Sequence, residues 1–310
     1  MDAQHLGANK ELEYFIVDVF TKKALTGNSL AVVMNTCGLA TEEMQAIARE
    51  FNLSETTFVE RRPAAVEQVE GVRVRIFTTQ EELPFAGHPT LGTASVLRLH
   101  APETFRGDTV TLHENIGPVP VRFEGDGLFG EMTQRDPEFG AELNRAEVAP
   151  LLGLGIGDLE PGLAPQVVST GNPFAIVALS SLEALGRLKI DQENANKWLR
   201  ARGGRWFYVL APAPGQSQSP AQQFRARMQF NGGEDPATGS AAGCAIGYLV
   251  ARGAVKPGER IHVSQGVEMG RPSDLFLTAS IDTNTGSARV SDVRVAGSTV
   301  PVANGRLFLE

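Results

Sequence analysis

The chain has 310 residues, of which 42% are hydrophobic and 21% charged, with a formal net charge of −8. That much apolar material over that length forms a sizeable core, which excludes disordered, collagen-like and low-complexity classes and suits about two domains. An acidic chain without a long basic run argues against sequence-independent nucleic-acid binding and against a membrane-surface patch.

The start, Met1 to Tyr14, is polar and has no apolar signal core, and residues 1–12 read as a flexible tail. No apolar run approaches the roughly 20 residues needed to span a bilayer. Cys37 and Cys244 are too few for a disulfide framework or a zinc site, and the histidines have no metal-ligand spacing. The reading is a soluble, reducing, cytoplasmic protein with no metal. Strands are predicted over Tyr14–Phe20, Leu30–Met34, Thr56–Val59, Val72–Thr78, Thr109–Leu112 and Val119–Phe123. A helix capped by Thr41 carries Met44, Ile47, Ala48 and Phe51 on one stripe. Further strands over Leu128–Gln134, Gln166–Ser169, Ala175–Leu179, Trp206–Leu210, Gln223–Phe230 and Leu275–Ser280 are assigned to a second lobe, with a peripheral helix at Asp191–Arg202. Ala211 to Ala221 reads as an exposed loop, and Asp292 to Glu310 as strand–turn–strand with Asn304-Gly305 as the hairpin.

The chain repeats itself once. Thr26-Gly27-Asn28 is echoed by Thr170-Gly171-Asn172, and His88-Pro89-Thr90-Leu91-Gly92-Thr93 by Asp235-Pro236-Ala237-Thr238-Gly239-Ser240, each about 145 residues later. Gly-Asn and Pro-x-x-Gly are also common turn words. The matching order favours duplication. It implies a first lobe over residues 13–124, completed by 292–310, and a second over 128–291. Thr90–Leu99 and Ala237–Val250 are apolar on nearly every face, so each belongs inside a lobe. The predicted fold is α+β, with two pseudo-symmetric lobes, each a curved, barrel-like sheet around a central helix.

His88 and Asp235 are read as N-caps of the central helices, with Pro89 and Pro236 at the first helical position. The amides of the first turn have no intrahelical acceptor, and together with the positive helix end they bind anions. Either start alone is simply a capped helix; two starts pointing into one cleft would hold a substrate carboxylate. Glu55, between a helix and a strand and flanked by apolar residues, is the candidate acid/base, although the same place equally suits a surface turn. It has no carboxylate twin near Arg205-Trp206-Phe207.

Asp18-Val19-Phe20-Thr21, Asn52-Leu53-Ser54-Glu55-Thr56, Glu82-Leu83-Pro84-Phe85-Ala86-Gly87-His88-Pro89-Thr90, Gly171-Asn172-Pro173 and Asp235-Pro236-Ala237-Thr238-Gly239-Ser240 together resemble the PhzF family of the diaminopimelate epimerase superfamily. The resemblance runs over nearly the whole chain after residue 12. It implies the two-lobed epimerase-like fold, cofactor-free isomerase chemistry and a homodimer. Glu55 matches the family's catalytic acid/base, His88, Asp235 and Ser240 match polar residues around the substrate, and Gly87 and Gly239 match backbone positions at the helix starts. The implied reaction moves a proton on a small carboxylate, as in isomerisation of trans-2,3-dihydro-3-hydroxyanthranilate. Two-thiol epimerisation does not fit, because Cys37 and Cys244 lie away from the helix starts. Gln265 and Arg271 are weaker candidates for substrate contacts, and their segment reads first as a loop with a solvated arginine. An epimerase or racemase of a hydroxy or amino acid, and a non-catalytic small-ligand binder, remain as other readings.

Overall fold

The computed structural model of the protein describes residues 10–101, 105, 107–125, 127–214, 222–230, 233–283 and 288–309. Sixteen strands form one hydrogen-bonded network. Eight of them close on themselves. In neighbour order they are Lys10–Val19, Asn28–Val33, Glu55–Glu60, Val72–Phe77, Thr109–Glu114, Gly117–Phe123, Phe129–Thr133 and Arg289–Leu309, and the last pairs back onto the first. The sheet continues from Arg289–Leu309 through Ser273–Asp282, Ile261–Gln265, Gln223–Arg227, Trp206–Ala213, Pro173–Ala178, Gln166–Ser169 and Glu138–Glu142.

Each half of this network wraps one helix. Gly87–His100 contacts six of the strands of the closed barrel and the shared last strand, while Gly239–Ala251 packs on Arg289–Leu309, Ser273–Asp282, Pro173–Ala178 and Gln166–Ser169. Both helices are buried through nearly their whole length, as an all-round apolar helix requires. Their glycines set how close the strands come. A Cβ on Gly92 would sit 2.6 Å from Leu30 Cδ2, and one on Gly243 would overlap the Gln134 side chain. A single core cluster joins residues of both helices, from Leu91 and Leu97 to Ala245 and Ile246, so the lobes do not have separate interiors.

Peripheral helices cover the outside. Thr41–Phe51 lays Met44, Ile47 and Ala48 on the first lobe, as the spacing predicts. Its cap is Ala40 rather than Thr41, and the exposed Ala40 amide is satisfied by Glu43 Oε2 at 2.7 Å. Gln192–Arg200 lies on the second lobe with Asp191 as its cap.

Three expectations about the strands are corrected. Phe129–Thr133, assigned to the second lobe, pairs with Gly117–Phe123 and packs on the first central helix, where a Cβ on Gly130 would lie 2.6 Å from Leu91 Cδ1. Lys10–Leu12, read as tail, belong to the first strand opposite Leu309–Leu307, and residues 1–9 lie outside the described residues. Asn304-Gly305 is no hairpin. Arg289–Leu309 is one strand of 21 residues, with Asn304 opposite Phe15 and Gly305 opposite Tyr14. The glycine makes room for an aromatic ring: a Cβ there would lie 2.6 Å from Tyr14 Oη. Of the predicted loop from Ala211 to Ala221, Ala211–Ala213 continue a strand and residues 215–221 lie outside the described residues.

One buried carboxyl braces the first central helix. Glu114 is 1% exposed, and burial raises its pKa to about 8 against the hydrogen bond from Thr90. Thr90 Oγ1 lies 2.7 Å from Ala86 O and 2.6 Å from Glu114 Oε1, but it has one proton to give. A protonated Glu114 donates to Thr90, which donates to Ala86 O, and both bonds are satisfied. The unfolded carboxyl titrates near 4.5, so between that pH and about 8 the folded chain keeps a proton that the unfolded chain has lost. Stability therefore falls as pH rises through this window, by up to about 1.4 kcal/mol per pH unit for one group. Glu114→Gln is expected to flatten that slope by one proton's worth, read from urea unfolding at a series of pH values between 5 and 8.

Candidate active site

The two central helices meet at their N-termini. Gly87 is the first residue of one and Gly239 the first of the other. A Cβ on Gly87 would lie 2.6 Å from Gly239 C and from Ser240 N, and one on Gly239 would lie 3.2 Å from Gly87 Cα. Only glycine lets the backbones come this close. The caps are Ala86 and Thr238, so His88 and Asp235 are not N-caps. His88 is the second helical residue. Asp235 precedes its helix by four residues, its carboxylate engaged by other partners.

The contact reveals how the lobes correspond. Asn28 Nδ2 donates to Ala237 O at 2.9 Å, and Asn172 Nδ2 donates to Phe85 O at 2.7 Å. Each asparagine thus crosses to the carbonyl two residues before the opposite helix. Gly87 and Gly239 are therefore equivalent, as are His88 and Ser240, while Asp235 corresponds to Leu83. The Pro-centred words of the sequence repeat are not structurally equivalent. Two residues past Asn28, Leu30 pairs with Glu55; two past Asn172, Phe174 pairs with Trp206. The twin of Glu55 is Trp206.

Four polar side chains gather at the helix starts. Asn28 Nδ2 lies 2.8 Å from Asp235 Oδ1, 2.9 Å from Ala237 O and 3.1 Å from His88 Nδ1. Its two hydrogens serve the two shorter contacts, so the ring proton of His88 is placed on Nδ1, with the Ser29 backbone as a further partner of the imidazole. That assignment leaves Nε2 as an acceptor, 3.4 Å from Glu55 Oε2. Burial lowers the His88 pKa to about 3 despite Ser29, so the ring is neutral. Burial, and then the charge of Asp235, hold the Glu55 carboxyl well above the usual range. With the imidazole neutral the close approach is not an ion pair, and neither Glu55 Oε2 nor His88 Nε2 has a hydrogen-bond partner among the described residues. Asp235 is raised to about 7 by burial, against hydrogen bonds from Thr238 and Asn28. Thr238 Oγ1 donates to its Oδ2 at 2.5 Å.

The phenazine biosynthesis-like protein family model matches residues 17–305. The chain belongs to this family. Among curated relatives, an uncharacterised isomerase of Mesorhizobium japonicum is 38% identical over 96% of this chain and 98% of its own length. The trans-2,3-dihydro-3-hydroxyanthranilate isomerase of Pseudomonas aeruginosa is 35% identical over 96% and 99%. A Bacillus anthracis phenazine biosynthesis protein of the PhzF family, solved by crystallography, superposes with a TM-score of 0.82 at 26% identity, covering 96% of this chain and 99% of that one.

In this family member, Gln265 and Arg271 hold the site's frame. Gln265 is fully buried. Its Nε2 donates to Asp235 O at 2.8 Å and Thr238 Oγ1 at 2.9 Å, and its Oε1 accepts from Thr238 N at 3.1 Å. Arg271 reaches from the second lobe to the first. It donates to Gly27 O at 2.8 Å, Asp18 Oδ1 at 2.7 Å, Thr26 O at 3.0 Å and Ser29 Oγ at 2.8 Å, fixing the loop that presents Asn28. Asn28 was legible as a turn word, but its bridging role was missed, because nothing local indicates which distant groups its amide will meet. Cys244 is the sixth residue of its helix, with its thiol pushed up to about 11 by burial, and Cys37 is exposed in a loop. Neither stands where the helix starts meet.

Two outcomes follow from this geometry. Gly87→Ala is expected to cost roughly 1–3 kcal/mol of stability, measured by denaturant unfolding, because the new methyl meets backbone that has nowhere to move. Asp235→Asn removes the charge that adds to burial at Glu55. The Glu55 titration midpoint, followed by NMR of carboxyl-labelled glutamate, is expected to move down while staying above 4.5, since burial remains.

Proposed function

We propose that the protein is a cofactor-independent isomerase that moves a proton between carbons of a small unsaturated carboxylate, similar to the trans-2,3-dihydro-3-hydroxyanthranilate isomerase it resembles at 35% identity. The observation that carries this reading is a single, unduplicated Glu55 with a raised pKa, facing His88 where two helix starts converge. The first-turn amides and the positive ends of both helices bind the substrate carboxylate, with Gly87, Gly239 and Ser240 at the contact. Glu55 in its carboxylate form takes a proton from a carbon beside the unsaturation. The electron pair left behind spreads into the conjugated system, and the Glu55 acid returns the proton at another carbon. Charge and atoms balance within enzyme and substrate. A raised pKa serves both halves, since it strengthens the carboxylate as a base and keeps the acid protonated between steps. Neutral His88, 3.4 Å from Glu55 Oε2, stands ready to accept from the Glu55 acid between the two steps, and Asp235 orients a polar substituent of the substrate. A homodimer is the assembly the family resemblance implies.

A second reading has its own support. Asp235 titrates near 7 and comes from the opposite lobe to Glu55, which suits two-sided epimerisation of a hydroxy or amino acid. Chiral analysis of the product separates the two. The primary test is turnover in heavy water with trans-2,3-dihydro-3-hydroxyanthranilate. The wild-type protein is expected to place deuterium on carbon, and Glu55→Gln to slow this by about 100-fold or more. Equal deuterium incorporation by both proteins would sink the role given to Glu55.

A further inference from the structure

The position equivalent to Glu55 in the second lobe is filled by an aromatic residue. Glu55 and Trp206 open equivalent strands, and each faces its own central helix. Two residues on, Thr57 Oγ1 lies 2.8 Å from Thr93 of the first helix, while Tyr208 is buried in the core cluster that holds the second. Side chains two apart on a strand share a face. Glu55 and Trp206 therefore point inward from opposite lobes to the paired helix starts.

Trp206 is half-buried rather than enclosed. Phe174 lies 5.7 Å from its ring, and Phe230 meets it edge-on at 5.9 Å. Phe230 belongs to the short antiparallel pair Gln229–Phe230 and Gly233–Glu234, next to Asp235, whose amide donates to Met228 O at 2.8 Å. The Arg205 guanidinium sits 4.0 Å over the Trp206 ring and pairs with Glu81 of the other lobe. The indole is thus packed both by a cross-lobe ion pair and by an aromatic ring from the strand pair next to Asp235.

We propose that Trp206, backed by Phe230, is the specificity-determining wall of the cleft, opposite Glu55, and that it selects carboxylates carrying a flat, conjugated ring. This rests on the reading of the cleft as a small-carboxylate site. A flat π-system makes close contact with an indole, while a puckered ring of the same size is held off it. The wall also puts no titratable group where a second base would stand.

The test uses benzoate and cyclohexanecarboxylate, which differ in ring planarity. The chain has two tryptophans. Trp198 stacks on Phe207 away from the cleft, so Trp198→Phe leaves Trp206 as the sole emitter. Benzoate is expected to change Trp206 emission saturably, and calorimetry to show benzoate bound roughly three- to tenfold more tightly than cyclohexanecarboxylate. In Trp206→Ala, or in Trp206→Leu if the alanine variant does not fold, the ratio is expected to approach one. Calorimetric benzoate binding that leaves Trp206 emission unchanged, or a ratio that survives loss of the indole, overturns the wall alone. Absence of any benzoate binding overturns the carboxylate cleft itself, and the wall with it.

Discussion

Everything at this site depends on the contact between Gly87 and Gly239. Two helix N-termini are brought together where Gly87 has no room for a Cβ and Gly239 only a tight fit. Each end carries a partial positive charge and unpaired amides. Facing one another they repel, and a negative group between them relieves that repulsion. Burial moves Glu55 and Asp235 towards their neutral forms, so the side chains nearest the helix ends do not fully supply that charge. The proposed carboxylate substrate would supply the missing charge. The lobes are kept in this arrangement by groups that cross between them: Asn28 to Ala237, Asn172 to Phe85, and Arg271 to the Asp18 loop.

The scaffold is duplicated and the chemistry is not. Glu55 corresponds to Trp206, His88 to Ser240, and Asp235 to Leu83. Each lobe contributes one carboxyl to the cleft, from a non-equivalent position. Matched groups on both sides suit a reaction that must run equally in two mirror-related directions. Unmatched groups suit a proton taken and returned by one carboxyl. Neutral His88 fits the proposed role of Glu55, because an imidazolium beside it would pull its pKa down.

Much of the architecture was readable from local pattern. Helices apolar on every face had to be internal, and the repeated Gly-Asn words marked equivalent turns. Glu55, His88 and Asp235 do converge, although they are far apart in the chain. Errors arose where one residue type serves two purposes. Asn304-Gly305 is a strong hairpin word, but Gly305 is there to clear the Tyr14 ring, a contact no local rule reports. His-Pro and Asp-Pro look like matching caps, but the glycine contact places the helix starts elsewhere.

The sequence alone determined that this chain is a duplicated α+β protein with two internal helices and one unpaired candidate acid/base. These properties follow from periodicity, composition and repetition, which act over a few residues at a time. Only the tertiary structure decided which positions of the two lobes are equivalent, that Asn28 ties Asp235 to the Ala237 carbonyl, that Arg271 is a clamp, and that Trp206 holds the place equivalent to Glu55. Those facts depend on groups more than a hundred residues apart approaching within hydrogen-bond distance, or on strand register, and neither is encoded by any single stretch of chain.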